Sequence, residues 1–328
     1  MAEADLLATI LPLLPTGQAT RLGPGDDSAV VSCPDGRVTV SSDILVEGVH
    51  FRSQWSNGFD IGWRLAAQNL SDAAAMGARP TSLVVALAGR AEQLSSDWLE
   101  AFANGLAACC SPWGVGVVGG DLSAGPILVA CATVLGDLAG RPPVTRSGAR
   151  PGDVLALAGG SGLGWSAGGL AVLEASGPAG DLAKSAAGET ALAAYLRPDP
   201  PIDQGERAAL GGASAMLDVS DGLMIDSGRL AAASGVRLVI DAASGGLAAA
   251  AKALAPLAGQ LGCDPWDWVA GGGEDHALLA TFPAGRTLPD GWDGIGQVES
   301  PGPVGPGAQL TGLEADRIRR LNRGWDHF

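Results

Sequence analysis

The sequence predicts an α/β protein of the α+β type with two domains, each of which packs helices on a mixed β-sheet. The chain has 328 residues, about twice the length of a typical domain. Segments with the period of a strand alternate along it with segments with the period of a helix. A polar stretch rich in proline and arginine, residues 136–153, interrupts this alternation. We therefore expect a boundary there, with domains at 1–138 and 139–328.

The first half opens with a clear strand pattern over residues 37–46. Its valines and isoleucine alternate with Thr39, Ser41 and Asp43, so the two sets lie on opposite faces. A helix is predicted over 59–76, because Gly77 suits its C-terminal cap and Pro80 prevents its continuation. The other predicted elements of this half are a strand at 81–89, a helix at 94–110, a short strand at 115–118 and a strand at 126–136.

The second half begins with an apolar strand at 153–159. Two helices rich in Gly and Ala are expected to follow it, before the next strand. The later predicted elements are a strand at 214–220, a helix from 222, a strand at 236–241 and a strand at 276–282.

Charge and cysteine content exclude several classes of protein. The chain carries 20 Lys and Arg against 35 Asp and Glu, a net charge of −15, so it repels nucleic acid. Its five cysteines form no C-x-x-C pair, which argues against a disulfide framework or a zinc cluster. Glu3 and Asp5 stand where a signal peptide needs cations, and no apolar run is long enough to span a bilayer. We expect a cytoplasmic protein that binds neither nucleic acid nor a membrane.

Several carboxylates occur where charge is costly, beside Gly or Ser in apolar segments. Asp72 is the only charged residue between Arg64 and Arg79, and its segment supplies no base. A desolvated carboxylate there is destabilising by several kcal/mol unless a distant arginine or a metal compensates it. Asp43 and Asp218 raise the same question. The acidic motifs are GPGDDSAVV (23–31), SSDILVEGVHF (41–51), QNLSDAAAMGA (68–78), GGDLSAG (119–125), LDVSDGLMID (217–226) and GGGEDHALL (271–279).

Repetition of this Gly/Ser-Asp pattern favours a metal over the alternative that each Asp caps a helix or fills a turn. Clustered carboxylates without basic partners suit Mg²⁺, which prefers oxygen ligands and bridges phosphates. The glycines let backbone N–H groups approach an anion, and Ser220-Asp221-Gly222 opens a predicted helix whose N-terminus attracts phosphate. The pattern therefore indicates a metal together with a phosphate ligand.

One competing motif is the G-x-G-x-x-A pattern at 162–167, which matches a dinucleotide fingerprint. That fingerprint needs an acidic residue about 20 positions later at the end of a second strand. Asp181 has this spacing but lies in a predicted turn. Tight helix–strand packing is the favoured interpretation.

The order of the acidic motifs, with TRSGARPGD at 145–153 and a terminal GWDHF, resembles the thiamine-monophosphate kinase family. This family shares a superfamily with aminoimidazole ribonucleotide synthetase and selenophosphate synthetase. The resemblance covers residues 23–328 and implies a PurM-like architecture. It also implies ATP-dependent phosphorylation of thiamine monophosphate to thiamine diphosphate, with several Mg²⁺ ions, in a homodimer.

The resemblance assigns roles to individual residues by their motifs. The metal ligands it implies are Asp27, Ser41, Ser42, Asp43, Asp72, Asp121, Asp218 and Asp221. The ATP contacts it implies are Gly120, Asp121, Arg146 and Ser220. The thiamine-phosphate contacts it implies are His50, Glu274 and Trp325. The chain departs from the family in two ways: Ser41 and Ser42 stand where Thr is frequent, and an aromatic residue near the adenine is replaced around Phe102-Ala103.

The expected chemistry needs no strong general base, because the acceptor is a phosphate oxygen that is already ionised at neutral pH. Mg²⁺ would offset the repulsion between the two polyanions, Arg146 would add fixed positive charge, and Trp325 would stack on a cationic heterocycle. The alternative for Trp325 is a tail residue that packs on the body of the protein. Two other functions stay open: another ATP-dependent synthetase of the superfamily, or a non-catalytic metal-binding maturation scaffold.

Overall fold

A computed structural model describes residues 3–24, 28–303 and 305–321. It divides the chain into two compact units. The N-terminal unit comprises Met1–Ala73 and Ala78–Arg141, and the C-terminal unit comprises Ala74–Gly77 and Pro142–Phe328. Among the described residues, none of the helices has the length and apolar character needed to cross a membrane.

The N-terminal unit is built around one mixed sheet. Its elements are α1 (Glu3–Ile10), β1 (Thr20–Leu22), β2 (Val30–Val31), β3 (Thr39–Val46), α2 (Gly58–Ala75), β4 (Arg79–Gly89), α3 (Ser96–Cys110), β5 (Gly116–Ala124) and β6 (Val129–Asp137). The strands of the main sheet have the order β3-β6-β4-β5. β6 is antiparallel to both of its neighbours, and β4 is parallel to β5. The last two residues of α2 belong to the C-terminal unit.

The two faces of this sheet differ in burial. Leu83, Val85 and Val134 are buried on one face, which we call the inner face. The opposite face, which we call the open face, leaves Val40 61% and Ile44 48% exposed. Burial alternates along β3, so the predicted separation of its apolar residues from Ser41 and Asp43 is confirmed.

Most predicted elements of this unit are found within two or three residues of their expected ends, but β5 is longer than predicted. The sequence predicts a strand only at 115–118, and the structure extends it through Gly119, Gly120 and Asp121 to Ala124. Gly and Asp are depleted in strands, which hides this extension from the pattern. Pairing with β4 supplies the backbone hydrogen bonds that continue the strand.

The C-terminal unit also carries a mixed sheet. Its elements are β7 (Val154–Ala158), α4 (Trp165–Ser176), α5 (Ala186–Leu196), α6 (Ile202–Gly211), β8 (Ala215–Val219), α7 (Leu223–Ser234), β9 (Arg237–Asp241), α8 (Gly245–Leu261), α9 (Pro265–Gly271), β10 (Ala277–Phe282), β11 (Trp292–Glu299), β12 (Gly307–Thr311) and α10 (Ala315–Leu321). The strand order is β12-β9-β11-β7-β10-β8, and β12 runs parallel to β9. Leu155, Leu217 and Leu279 lie in the core that the helices cover.

The prediction of two helices between β7 and β8 is wrong, because the structure has three. The third, α6, begins directly after Pro201 and carries Asp203, Glu206 and Arg207. It differs from its neighbours in these three charged residues, since α4 and α5 carry only one each. Its position after Pro201 is typical of a helix start.

Candidate functional site

The inner face of the N-terminal sheet carries the first group of predicted site residues. Ser41 and Asp43 are two residues apart on β3 and therefore share this face. The Ser41 hydroxyl donates a hydrogen bond to Asp72 Oδ2 of α2 at 2.5 Å. All three side chains are only partly buried. The structure thus places two carboxylates and a hydroxyl, all hard oxygen donors, on one side of β3.

Ser42 and Asp121 lie on the open face instead. The Ser42 hydroxyl donates to Ala132 O of β6 at 2.9 Å. Asp121 pairs in register with Ala86 of β4, and both residues are exposed. The predicted metal ligands of this unit that the structure describes therefore form two groups on opposite faces of the sheet.

A cavity of about 770 Å³ lies beside β5 in the N-terminal unit. Its wall includes Phe102 and Ala103 of α3, Leu7 of α1, and the predicted ATP contacts Gly120 and Asp121. A Cβ at Gly120 would lie 1.8 Å from Val85 O, so only glycine lets β5 approach β4 this closely. The cavity is thus mostly apolar, with a carboxylate at Asp121.

His50 lies in the loop that follows β3. Its Nδ1 accepts a hydrogen bond from Val46 N at 3.0 Å, so in the neutral imidazole the proton sits on Nε2. Glu47 holds this loop: its carboxylate accepts from Ser53 Oγ and from Gln93 Nε2. These hydrogen bonds, that of Ser53 above all, lower the pKa of Glu47. Sequence reasoning assigned no role to Glu47.

In the C-terminal unit, the end of β8 with the loop that follows it meets the loop that precedes β10. Together they carry Asp218, Ser220, Asp221 and Glu274. Glu274 N donates to Ser220 O at 2.8 Å, and His276 N donates to Val219 O at 3.0 Å. Glu274 and His276 have φ values of 69° and 53°. Non-glycine residues rarely adopt this left-handed conformation, so the fold imposes it at a cost.

A buried histidine lies between two of these carboxylates. His276 Nδ1 is 3.2 Å from Asp218 Oδ2, and both side chains are buried. His276 Nε2 is 4.0 Å from Glu274 Oε2. Asp218 and Glu274 were predicted from their motifs, whereas sequence reasoning assigned His276 no role, because the three histidines are too scattered to predict a zinc site.

Arg229 compensates the acidic residues at the start of α7. Its Nη1 donates to Asp226 Oδ1 at 2.7 Å and also donates to Asp221 Oδ2. Burial raises the pKa of Asp226 to about 6, although the N–H of Asp221 and the charge of Arg229 act to lower it. The expectation that these clustered aspartates lack basic partners is therefore wrong at Asp221. The reason is that α7 brings Arg229 back beside the loop that precedes the helix.

Asp275 caps α4 from a distant part of the sequence. Its carboxylate accepts from Gly164 N at 2.5 Å and from Ser166 N at 2.9 Å. Burial raises the pKa of Asp275 to about 7, against the opposing effect of these two hydrogen bonds. Two N–H groups of the G-x-G-x-x-A segment, at the start of α4, thus bind a carboxylate of the protein itself, which supports the structural interpretation of that motif.

The two predicted ATP contacts of the C-terminal unit lie near opposite ends of α7. Ser220 precedes the helix, whereas the backbone around Arg146 contacts Ser234, its last residue. A helix of 12 residues is about 18 Å long. The backbones of Ser220 and Arg146 therefore lie about the length of this helix apart.

Asp27 and Trp325 lie outside the described residues. Within residues 3–24, 28–303 and 305–321, no three His, Cys, Asp or Glu side chains are close enough to hold one metal ion. Mg²⁺ commonly uses only one or two carboxylates and completes its shell with water and phosphate oxygens. By the chemistry of its donors, the group of Ser41, Asp43 and Asp72 fits this ion.

Comparison with known proteins gives a consistent result. The model of the N-terminal domain of AIR synthase related proteins matches residues 25–138, and that of the C-terminal domain matches residues 150–280. The thiamine-monophosphate kinase of Mycobacterium tuberculosis is 47% identical over 281 residues, which cover 84% of this chain and 79% of that protein.

Two solved structures resemble the whole chain. The thiamine-monophosphate kinase from Stenotrophomonas maltophilia K279a has a TM-score of 0.76 at 32% identity, with 95% of this chain and 96% of that chain covered. A structure described as AaThiL complexed with AMPPCP and TMP has a TM-score of 0.74 at 28% identity, with 99% and 96% covered.

Proposed function

The chain belongs to the thiamine-monophosphate kinase family, and we propose that it transfers the γ-phosphoryl group of ATP directly and in line to thiamine monophosphate. The products are ADP and thiamine diphosphate. Family membership is the main support for this proposal. A solved structure with the same fold, described as a complex with AMPPCP and TMP, supports it further.

The acceptor in this reaction is a phosphate oxygen, which is ionised at neutral pH. The protein therefore has to bring two polyanions together rather than remove a proton. Arg146 supplies positive charge for the ATP phosphates on an exposed loop. His50 Nε2–H donates to the phosphate of thiamine monophosphate, because the hydrogen bond from Val46 N keeps the proton off Nδ1.

The cavity beside β5 receives the nucleotide in this proposal. Its apolar wall, with Phe102 on α3, suits the faces of adenine, and Gly120 lies on the same wall. Pro24 and Ser28, which flank the predicted ligand Asp27, line the same cavity. Gly120 lines this cavity too, which supports an ATP role for it.

Ser41, Asp43 and Asp72 would hold Mg²⁺, with Ser42, Asp121, Asp218, Asp221 and Asp27 as the further proposed ligands. Bound Mg²⁺ would offset the negative charge of the phosphates and stabilise charge in a loose transition state. Ser220 contacts ATP, and Glu274 and Trp325 contact thiamine monophosphate, in the same proposal. Glu274 favours the positive charge of the thiazolium ring.

Product analysis tests the function. The purified chain is incubated with ATP, Mg²⁺ and thiamine monophosphate, and the products are separated by chromatography. We expect equal amounts of ADP and thiamine diphosphate. ADP with inorganic phosphate and no thiamine diphosphate would point to another synthetase of the superfamily, and no turnover at all would favour a scaffold.

We also propose a homodimer formed through the open face of the N-terminal sheet. Val40, Ile44 and Val84 are 61%, 48% and 40% exposed there, and exposed apolar side chains on one face are typical of an interface. Sedimentation tests this: Ile44→Lys should turn a dimer into a monomer, whereas Leu210→Lys, at an exposed position on α6, should leave it a dimer. A monomeric wild type would contradict it.

We further propose that the protein is cytoplasmic. We also propose that its two domains comprise residues 1–138 and 139–328. All five cysteines are free thiols, as a reducing compartment requires.

A further inference from the structure

Arg146 lies in a short loop, Thr145–Ala149, which we call the Arg146 loop. Its side chain is exposed, and within the part of the chain that the structure describes its guanidinium makes no hydrogen bond or ion pair. A long cation of this kind binds a polyanion more tightly when the backbone that carries it is already ordered. The hydrogen bonds that order the backbone of the Arg146 loop should therefore affect the affinity for the nucleotide.

One hydroxyl supplies much of that order. Ser234 Oγ accepts hydrogen bonds from Gly148 N at 3.1 Å and from Ala149 N at 3.2 Å. The same Oγ donates to Arg146 O at 2.9 Å. A serine hydroxyl has one proton and two acceptor lone pairs, so these contacts use its full capacity.

The loop is also tied to strand β8. Met216 N donates to Thr145 O at 3.0 Å. Gly148 has a φ of +135°, and a Cβ there would lie 2.2 Å from Ser214 O. The strand thus holds the beginning of the loop, while Ser234 spans the backbone from Arg146 to Ala149.

From this geometry we propose that Ser234 is a positioning residue for Arg146. Its hydroxyl fixes the loop backbone, so the guanidinium meets the ATP phosphates without a preceding ordering of the loop. This inference rests on the ATP role proposed above for Arg146, although it does not depend on the identity of the phosphate acceptor. No motif in the sequence pointed to Ser234, which ends a helix 88 residues after Arg146.

A double-mutant cycle tests the proposal. The dissociation constant of a non-hydrolysable ATP analogue with Mg²⁺ is measured by calorimetry for the wild type, Arg146→Ala, Ser234→Ala and the double variant. We expect Arg146→Ala to weaken binding about tenfold, as the loss of a charge-assisted contact does. Ser234→Ala should weaken it about fivefold alone and by less than about twofold in the Arg146→Ala background, because residues that act through one another are not additive.

Two further variants separate positioning from general stability. Ser234→Thr keeps the hydroxyl and should restore most of the lost affinity. Ser176→Ala removes a hydroxyl that donates to Val172 O within α4, and it should leave ATP binding unchanged. In steady-state assays, Ser234→Ala should raise the KM for ATP and leave the KM for thiamine monophosphate within about twofold of the wild-type value.

The outcomes distinguish this inference from the proposed function. Equal weakening by Ser234→Ala in both backgrounds would overturn the inference, because Ser234 would then act independently of Arg146. Unchanged affinity in Arg146→Ala would overturn both the ATP role of Arg146 and the inference. The four proteins of the cycle could show the expected coupling while the wild type forms no thiamine diphosphate. That result would refute the proposed acceptor and leave Ser234 as a positioning residue.

Discussion

The two units of this chain treat their acidic residues differently. In the N-terminal unit, the carboxylate of Asp72 accepts a hydrogen bond from the uncharged hydroxyl of Ser41. In the C-terminal unit, Asp221 and Asp226 share the guanidinium of Arg229, and Asp218 contacts the imidazole of His276. The N-terminal acidic group thus includes a hydroxyl donor, whereas the C-terminal acidic group includes a guanidinium and an imidazole.

This difference separates two ways to tolerate clustered negative charge. A neutral donor satisfies the lone pairs of a carboxylate but leaves its charge, so a bound cation can still gain Coulomb energy there. A carboxylate that already contacts a guanidinium has part of its charge compensated, and a metal has to compete for it. Metal binding should therefore depend most on the N-terminal group, and fold stability most on the C-terminal group.

The largest expected effect is that of Asp72→Asn. The variant keeps the shape and the acceptor for Ser41 but removes the charge. We expect kcat to fall about a thousandfold, as when a main electrostatic group is lost. The melting temperature should be unchanged, and the stabilisation that Mg²⁺ gives the wild type should shrink. Asp97→Asn, at an exposed position in the first turn of α3, is the matched control. Near-normal turnover of Asp72→Asn would remove this residue from the metal site.

Local patterns were enough to place β3 and the side chains of Ser41 and Asp43 on the same face. The partners of these groups were out of reach, because they are set by tertiary contacts: Ser41 and Asp72 are 31 residues apart, and Asp218 and His276 are 58 apart. Arg229 is an exception. It follows Asp226 by three residues on a helix, a spacing at which side chains meet, so this ion pair was predictable.

The second prediction tests whether Arg229 compensates the C-terminal acids. Arg229→Gln leaves the buried Asp226 and the neighbouring Asp221 without their shared cation. Because the guanidinium is partly exposed, we expect a loss of about 2 kcal/mol of unfolding free energy, less than for a fully buried pair. Urea denaturation measures it.

The matched control is Arg207→Gln, which breaks an exposed i,i+4 pair with Asp203 on α6. Such pairs contribute about 0.5 kcal/mol or less. Asp226→Asn in the Arg229→Gln background should recover part of the lost stability, since it removes the buried charge. If Arg229→Gln and Arg207→Gln lowered the unfolding free energy equally, Arg229 would not compensate the charge of Asp221 and Asp226.

The third prediction concerns Asp275, a buried acid without a proposed metal role, whose carboxylate accepts hydrogen bonds from Gly164 N and Ser166 N. Its pKa of about 7 in the folded state lies above the ordinary value of 3.8, so the folded protein binds this proton more tightly than the unfolded chain does. The stability from this group is complete below about pH 4 and is lost as the pH rises through about 7. Relative to Asp275→Asn, the wild type should lose up to about 1.4 kcal/mol per pH unit over this range.

Urea denaturation at several pH values between about 4.5 and about 8 measures this difference. Asp181→Asn serves as the control, because the Asp181 side chain is fully exposed and should give a flat difference. The difference in unfolding free energy between the wild type and Asp275→Asn could also be independent of pH. That result would mean that the Gly164 and Ser166 N–H groups fully offset the effect of burial on the pKa of Asp275.

The smallest expected effect is that of Ser41→Ala, which removes a hydroxyl that donates to Asp72. The charge stays, so the carboxylate should still attract Mg²⁺ but lose its fixed orientation. We expect about a threefold to tenfold rise in the Mg²⁺ concentration needed for half-maximal activity, the range typical of groups that orient a metal ligand. Ser41→Thr keeps the hydroxyl and should behave like the wild type. Thr190→Ala, which removes a hydroxyl that donates to Ala186 O within α5, should have no effect on this concentration. If Ser41→Ala instead lowered kcat as much as Asp72→Asn does, the hydroxyl would itself be an essential ligand. The contrast between a hydroxyl donor in one unit and a guanidinium in the other would then no longer explain how the two units differ.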